Sequence, residues 1–229
     1  MATLYVVSTP IGNLADLTPR AAATLRGVAR ILAEDTRRSR PLAQAAGASA
    51  PLLSLHEHNE RERTRQVLEW LARGEDVALV TDAGTPLVSD PGARVVAAAI
   101  ERGHAVVPIP GPSAVLAALV GSGLPSDRFA FLGFPERKGP ARRALLERVA
   151  ASRETVVLFE SPHRLVRLLD DLAAACGPGR RVAVARELTK VHEEFVRGTL
   201  SEASAYYQEH PPKGEVTVVI GPAAGAVAP

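Results

Sequence analysis

The chain has a single cysteine, Cys176, among 229 residues, which excludes both an internal disulfide and a cysteine-built zinc cluster. That residue lies in LAAACGPGR, at the expected end of a helix and with no adjoining His or Lys, so it reads as packing rather than thiolate chemistry. Apolar runs are short, and none approaches the ~20 residues that a membrane-spanning helix needs. The opening MATLYVVSTP enters a strand pattern directly, without the basic start and long apolar core of a secretory leader. Export is therefore not expected, and the reducing cytoplasm is the expected compartment. Also missing are a GxxxxGK[ST] loop, a GxGxxG turn after the first strand, a GxSxG elbow and an HExxH helix. Kinase, nucleotide-dehydrogenase, esterase and zinc-protease readings are disfavoured accordingly. His56 and His58 would share a face on a strand, but HEHNERER reads as the polar start of a helix, and no metal site is expected.

What remains is an ordinary globular composition, 46% hydrophobic and 23% charged, long enough for two medium lobes or one large domain. The formal charge of +2 conceals a high arginine content, and the pI is near 9.0. A nucleic-acid partner follows only if the basic residues cluster.

Residues 4–8 (LYVVS) read as a buried strand. Thr18 then offers an N-cap, and Pro19 the first position of an Ala-rich helix. A short apolar run at 30–35, a charged helix at 59–73 stopped by Gly74, a strand at 77–81, a helix at 93–102 and a strand at 105–109 follow. Alternating strands and helices, with nearly continuous apolar strands, argue for a largely parallel sheet covered on both faces. The character changes after residue 124, where a Phe-rich run, Pro135, Gly139 and Pro140 precede an arginine-rich helix. The boundary is placed there, giving an N-terminal lobe over 1–124 and a C-terminal lobe over 125–222. The second lobe is richer in strands, at 155–160, 181–187, 194–198 and 215–221, and the uncharged tail 223–229 is expected to fray. The expected fold class is a two-lobed α/β protein, mostly parallel in the first lobe and mixed in the second.

Three Pro/Gly-rich loops each follow a strand at its carboxyl end: STPIGNLADLT at 8–18, TDAGTPLVSDPG at 81–92 and PIPGPSA at 108–114. Ligands of open α/β sheets collect beyond those ends, so the three loops are expected to converge on one pocket. Glycines admit close approach to a ligand, and prolines fix the loop before binding. Tight turns with no ligand are the alternative, and it weakens with each further loop of this kind. Asp82 is either a ligand contact or a turn carboxylate capping its own loop.

In order along the chain, LYVVSTPIGNLADLTPRA, AEDTRRS, VALVTDAGTPLVSDPG, PIPGPSA, FLGFPERKGPARR, FESPHRL, ARELTKVHEE and KGEVTVVIG carry a resemblance. Together these segments resemble the bacterial 16S ribosomal RNA 2'-O-methyltransferases of the tetrapyrrole-methylase (class III) superfamily. The resemblance runs from about Thr3 to Pro222. It implies two α/β lobes, S-adenosylmethionine held folded in the cleft between them, a homodimer, and methylation of a cytidine ribose in the decoding region of 16S RNA within the small subunit. It assigns the cofactor to Pro10, Ile11, Asp82, Gly84, Thr85, Leu87, Val88, Ser113 and Ala114, with Phe159, Ala185 and Glu215 from the second lobe. Relatives often continue for several dozen residues past the position of Gly221, and any RNA contact made there is expected to be absent or supplied elsewhere.

Transfer to a ribose hydroxyl is an in-line displacement, and holding oxygen, methyl and sulfur in line near ~3 Å contributes up to roughly 7–11 kcal/mol. A base helping to remove the hydroxyl proton adds about 10²–10⁴-fold. Glu160, Glu187 and Lys190 are the candidates, each equally able to be a structural ion-pair partner. Glu160 and Lys190, in FESPHR and ARELTK, are expected at the reacting end, and Lys190 serves as a base only if its pKa is lowered. RNA is expected to meet two basic clusters, one at Arg37, Arg38 and Arg40, the other at Arg137, Lys138, Arg142, Arg143, Arg148 and Arg153. His163 and Arg164 are further candidates for RNA or the cofactor, or a structural pair; Tyr206 and Tyr207 read as packing rather than base stacking. Two alternatives share the same cofactor lobe: a small-molecule tetrapyrrole methyltransferase, and a non-catalytic, cofactor-sensing RNA-binding module. The arginine clusters weigh against the first, and the complete set of loops against the second.

Overall fold

The computed structural model describes residues 2–223; of the tail expected to fray over 223–229, Ala223 donates its amide to the carbonyl of Ser152 at 2.9 Å and residues 224–229 lie outside the described residues. The chain divides into two units, Met1–Ser113 and Ala114–Pro229.

The first unit alternates strand and helix: β1 (Thr3–Val7), α1 (Pro19–Gly27), β2 (Arg30–Ala33), α2 (Thr36–Ala46), β3 (Leu52–Ser54), α3 (Glu60–Ala72), β4 (Val77–Leu79), α4 (Ala93–Glu101) and β5 (Ala105–Ile109). The strands form one sheet in the order β3-β2-β4-β1-β5, and every pairing is parallel. Alternation along each strand sends side chains to both faces. Leu4, Leu32 and Leu79 enter a core with Val67 and Trp70 of α3 and Val95 and Ala99 of α4. Val7, Ile31 and Ala33 enter a second core with Leu25 of α1 and Leu42 of α2. Fully burying one such Leu or Ile contributes about 1.5–3 kcal/mol, which explains the uninterrupted apolar strands. The N-cap read at Thr18 is formed, its hydroxyl accepting the amide of Ala21 at 3.1 Å with Pro19 behind it.

The second unit comprises α5 (Ala114–Ser122), β6 (Phe129–Phe131), α6 (Pro140–Ala151), β7 (Thr155–Glu160), α7 (Leu165–Cys176), β8 (Arg181–Arg186), β9 (Glu194–Thr199), α8 (Leu200–Glu209) and β10 (Val216–Ile220). Its sheet runs β6-β7-β10-β8-β9, with β6 and β7 parallel and the remaining pairs antiparallel. One face is closed by Leu165, Leu168 and Leu172 of α7 and by Leu200 and Tyr207 of α8. The division precedes the boundary read from composition, because α5 packs on β8 and β10. Arg197 of β9 anchors that helix, donating through Nε and Nη2 to the carbonyl of Gly121 at 3.0 and 2.6 Å. Cys176 is half-buried at the end of α7, and burial pushes its thiol up against the opposing pull of Arg180.

Candidate functional site

Because β4, β1 and β5 are parallel neighbours, the loops after them leave from one edge of the first sheet. Hydrogen bonds join all three. The amide of Thr9 donates to the carbonyl of Gly84 at 2.8 Å, and the amide of Gly84 returns to that of Thr9 at 3.1 Å. Ser8 donates its amide to Ile109 at 3.1 Å and its hydroxyl to Thr85 Oγ1 at 3.3 Å. Thr85 Oγ1 in turn donates to the carbonyl of Pro112 at 3.3 Å. Pro10 and Ile11, Gly84 and Thr85, and the segment up to Ser113 are thereby held in one assembly. Ser8 and Thr9, which the sequence did not single out, do the joining. Leu87 and Ser89 have positive φ, 72° and 70°, a conformation costly for side-chain-bearing residues and concentrated at ligand-binding loops. Val88 between them is 36% exposed, whereas Ile11 is buried.

Asp82 is engaged with a neighbouring segment rather than with its own loop. Its Oδ1 accepts the amide of Asp35 at 3.1 Å, and its Oδ2 faces Arg38 Nη1 at 3.4 Å. Thr81 donates its hydroxyl to Asp90 at 2.7 Å. Burial, followed by the charges of Asp90 and Asp82, raises the pKa of Glu34 despite Thr81 and Arg38. Burial also raises Asp90, with Asp82 adding to the effect and the Thr81 hydroxyl opposing it. The loop edge thus combines apolar Ile11, Leu87 and Val88 with carboxylates and hydroxyls. That mixture fits a ligand with a flat ring at one end and a charged amino-acid head at the other.

In the second unit, Phe159 and Ala185 flank Thr217 of β10 on adjoining strands, so the three side chains share one face of the sheet. Glu215 lies just before β10. Its carboxylate receives Lys190 Nζ at 2.9 Å, and Glu187 Oε1 receives the same ammonium at 2.8 Å and the amide of Glu215 at 2.9 Å. Burial pulls the Lys190 ammonium down, but the bonds to Glu187 and Glu215 outweigh it and hold its pKa above the ordinary value. Lys190 is held here as an ion-paired ammonium, without the lowered pKa that a base requires. Glu187 and Thr189 carry positive φ, 51° and 67°, so the backbone around this cation is strained. A Cβ at Gly214 would overlap the Glu187 carboxylate, and only glycine permits that approach at its φ of 83°.

Other expectations also change. The Glu160 side chain is fully buried; its Oε1 accepts the amide of Ser161 at 2.7 Å and pairs with Arg164. Both residues brace the SPHR turn, and Glu160 Oε2 is buried without a hydrogen-bond partner. Arg142 is 6% exposed and donates to Asp171 at 2.9 and 2.6 Å and to the carbonyl of Glu136 at 3.0 Å, which removes it from the RNA-binding set. Arg37 is exposed but makes a two-pronged pair with Asp35, at 3.0 and 2.8 Å, and holds that carboxyl below the usual range. Arg38 is tied to Asp82, while Arg137, Lys138 and Arg143 are exposed and have no ion-pair partner among the described residues. Tyr207 is buried, and both adjacent tyrosine hydroxyls donate to Glu194, as packing requires.

Residues 3–204 match the family Tetrapyrrole (Corrin/Porphyrin) Methylases. Over 220 residues the chain is 50% identical to Ribosomal RNA small subunit methyltransferase I of Synechocystis sp., an overlap covering 96% of this chain and 79% of that protein. The chain belongs to the ribosomal RNA small subunit methyltransferase I family of tetrapyrrole methylases. The family member from Bacillus subtilis is 44% identical over 220 residues, covering 96% of this chain and 75% of that protein. A solved uroporphyrin-III C-methyltransferase of Thermus thermophilus, complexed with S-adenosyl homocysteine, superposes with a TM-score of 0.67 at 20% identity, covering 96% and 97% of the two chains. At that identity the likeness concerns the fold, two sheets of which the first is parallel and the second mixed. Among the described residues no helix is long and apolar enough to cross a membrane.

Proposed function

We propose that this protein transfers a methyl group from S-adenosylmethionine to the ribose 2'-hydroxyl of a cytidine in the decoding region of 16S ribosomal RNA. The observation that carries this reading is the joining of three loops at one edge of the first sheet, in a member of a ribosomal RNA methyltransferase family. When bound, the cofactor supplies a methyl group made electrophilic by its sulfonium. Pro10, Ile11, Leu87 and Val88 enclose its apolar ring, and Gly84 and Thr85 shape the wall between them. Asp82 receives the ammonium or a ribose hydroxyl, with Arg38 and the Asp35 amide fixing the carboxylate. Ser113 and the amide of Ala114 meet the carboxylate end. Phe159, Ala185 and Glu215 are assigned to the cofactor on the resemblance alone.

Lys190 acts as an oriented cation. Of its three N–H donors, Glu187 and Glu215 take two, and the third donates to an oxygen of the acceptor nucleotide. It holds that nucleotide in line and removes no proton. Arg37, Arg38, Arg137, Lys138 and Arg143 neutralise RNA phosphates, with the small ribosomal subunit as the substrate particle, in the cytoplasm, and with the protein as a homodimer.

The test is transfer of labelled methyl groups from S-adenosylmethionine to small subunits from cells lacking this protein, followed by mapping of the modified nucleotide. A single modified cytidine ribose in the decoding region is expected. Incorporation into porphyrinoid acceptors but not into subunits overturns the reading, as does cofactor binding without turnover.

A further inference from the structure

Phe134 is a large apolar side chain left 55% exposed in a short segment otherwise rich in basic residues. Its ring centre lies 5.4 Å from that of Phe159, tilted by 53°, and Phe159 meets Phe131 edge-on at 4.8 Å. The segment is fixed in place from three sides. The carbonyl of Gly133 accepts the amide of Phe159 at 3.0 Å, Pro135 is buried, and Arg142 ties the carbonyl of Glu136 to Asp171 on α7. Beyond Phe134, Arg137, Lys138 and Arg143 are exposed without ion-pair partners among the described residues, and Glu136 is the segment's one acid. Alongside, a shallow cavity of about 560 Å³ is lined by Phe131, Leu145 and Arg148.

A solvated aromatic ring has no stabilising role of its own, and burying it would have been favourable. Its setting, a rigid ring backed by a second ring and bordered by unpaired cations, matches the stacking-plus-phosphate arrangement by which proteins hold single-stranded nucleic acid. We infer that Phe134 stacks on an unpaired base of the acceptor RNA, with Arg137, Lys138 and Arg143 neutralising the adjoining phosphates. This rests on the RNA reading above and adds a base contact to it. The bound strand is single-stranded, because a base inside a duplex has both faces covered by its stacked neighbours. The Phe134 ring lies between the stacked base and Phe159, a residue assigned to the cofactor, so Phe134 fixes which stretch of strand is presented for methylation.

The test compares Phe134→Leu, Phe134→Trp and the double variant Arg137→Gln/Lys138→Gln. Leu keeps the apolar contact with Phe159 but removes the flat ring; Trp keeps the ring. Binding of a fluorescein-labelled single-stranded oligoribonucleotide of decoding-region sequence is read by anisotropy, and KM for small subunits by methyl transfer. Phe134→Leu is expected to weaken oligonucleotide binding about tenfold or more and to raise KM in parallel, while Phe134→Trp stays near wild type. The double variant is expected to flatten the salt dependence of binding by about 1.4 in log–log slope, roughly 0.7 per phosphate contact to a single strand, a change that Phe134→Leu does not make. Cofactor affinity, measured by calorimetry, should be the same in all variants. Wild-type RNA affinity and KM in Phe134→Leu, or equal losses in Leu and Trp, overturn the inference while leaving the methyltransferase reading intact. Phe134-dependent RNA binding by a wild-type protein that transfers no methyl group sinks the proposed reaction and keeps the surface.

Discussion

The carboxylate of Glu60, the first residue of α3, accepts the amide of Gly92 at 3.0 Å, with the amide of Arg94 also within reach at 3.3 Å. Gly92 is the N-cap of α4 and has no side chain with which to cap it, so a neighbouring helix supplies the missing acceptor. The end of the TDAGTPLVSDPG loop is tied down in this way, although Glu60 lies outside the loop. Glu60→Ala is expected to cost about 1 kcal/mol, or a Tm lower by roughly 2–4 °C, and to weaken S-adenosylmethionine binding. Thermal unfolding and calorimetry of the variant check both, and cofactor affinity equal to wild type would detach Glu60 from the site.

Gly92 itself tolerates no side chain. Its φ is 124°, and an added Cβ would lie 2.7 Å from Leu79 Cδ2 in the core under α4. Gly92→Ala is expected to destabilise the protein by roughly 1–3 kcal/mol, more than Glu60→Ala, measured by urea unfolding.

Arg142 and Arg143 are adjacent in sequence and opposite in role. Arg142→Ala leaves Asp171 and the Glu136 carbonyl without their donor, at an expected cost of about 1–3 kcal/mol, below that of a fully buried pair because the Asp171 side chain is 34% exposed. Arg143→Ala should leave Tm unchanged and lower the log–log salt slope of single-stranded RNA binding by about 0.7. Paired melts and binding isotherms at several salt concentrations separate the two.

Glu34 is faced by Asp82, Asp90, Thr81 and Arg38, with burial as the leading cause of its raised pKa. A carboxyl with a folded pKa above its unfolded value adds stability at low pH and loses that contribution as pH rises through the folded pKa. Glu34→Gln should therefore raise Tm at pH 7, with the gain vanishing below about pH 4, near the unfolded carboxylate value. An equal gain at both pH values would show that charge is not the cause.

Lys190 is also shifted upward, but for an ammonium that shift favours the charged form, so its charge persists throughout the neutral range. Lys190→Gln is expected to lower the single-turnover rate by roughly 10²–10³-fold, as for loss of a preorganised donor, without removing a limb from the pH–rate profile below about pH 10. Gly214→Ala should reproduce part of the loss by displacing Glu187. A wild-type rate in Lys190→Gln would exclude the cation from the reaction.

The strands carrying the loops were legible because apolar runs such as VALVT end abruptly in Pro and Gly, a signal contained in a few consecutive residues. α2 contains Pro41, which masks a helical pattern. α5 is apolar on all sides and has no stripe to read. Composition grouped Arg142 with Arg137, Lys138 and Arg143, but its partner Asp171 is 29 residues away, and only folding decides which arginine turns inward. Glu60 and Gly92, 32 residues apart, carry no local signal of their contact. The carboxylates of Glu187 and Glu215 around Lys190 were equally invisible, and they turn a candidate base into a fixed charge.

The strand order β3-β2-β4-β1-β5 also orders events during synthesis. β1 is an interior strand, whose two neighbours are formed by residues 77–79 and 105–109, both later in the chain. Until those residues are made, β1 presents two unpaired edges, a state open to mispairing and attractive to chaperones. Its insertion between β4 and β5 brings together Ser8, Thr9, Gly84, Thr85 and Pro112, so the three loops are joined in the same step that closes the sheet.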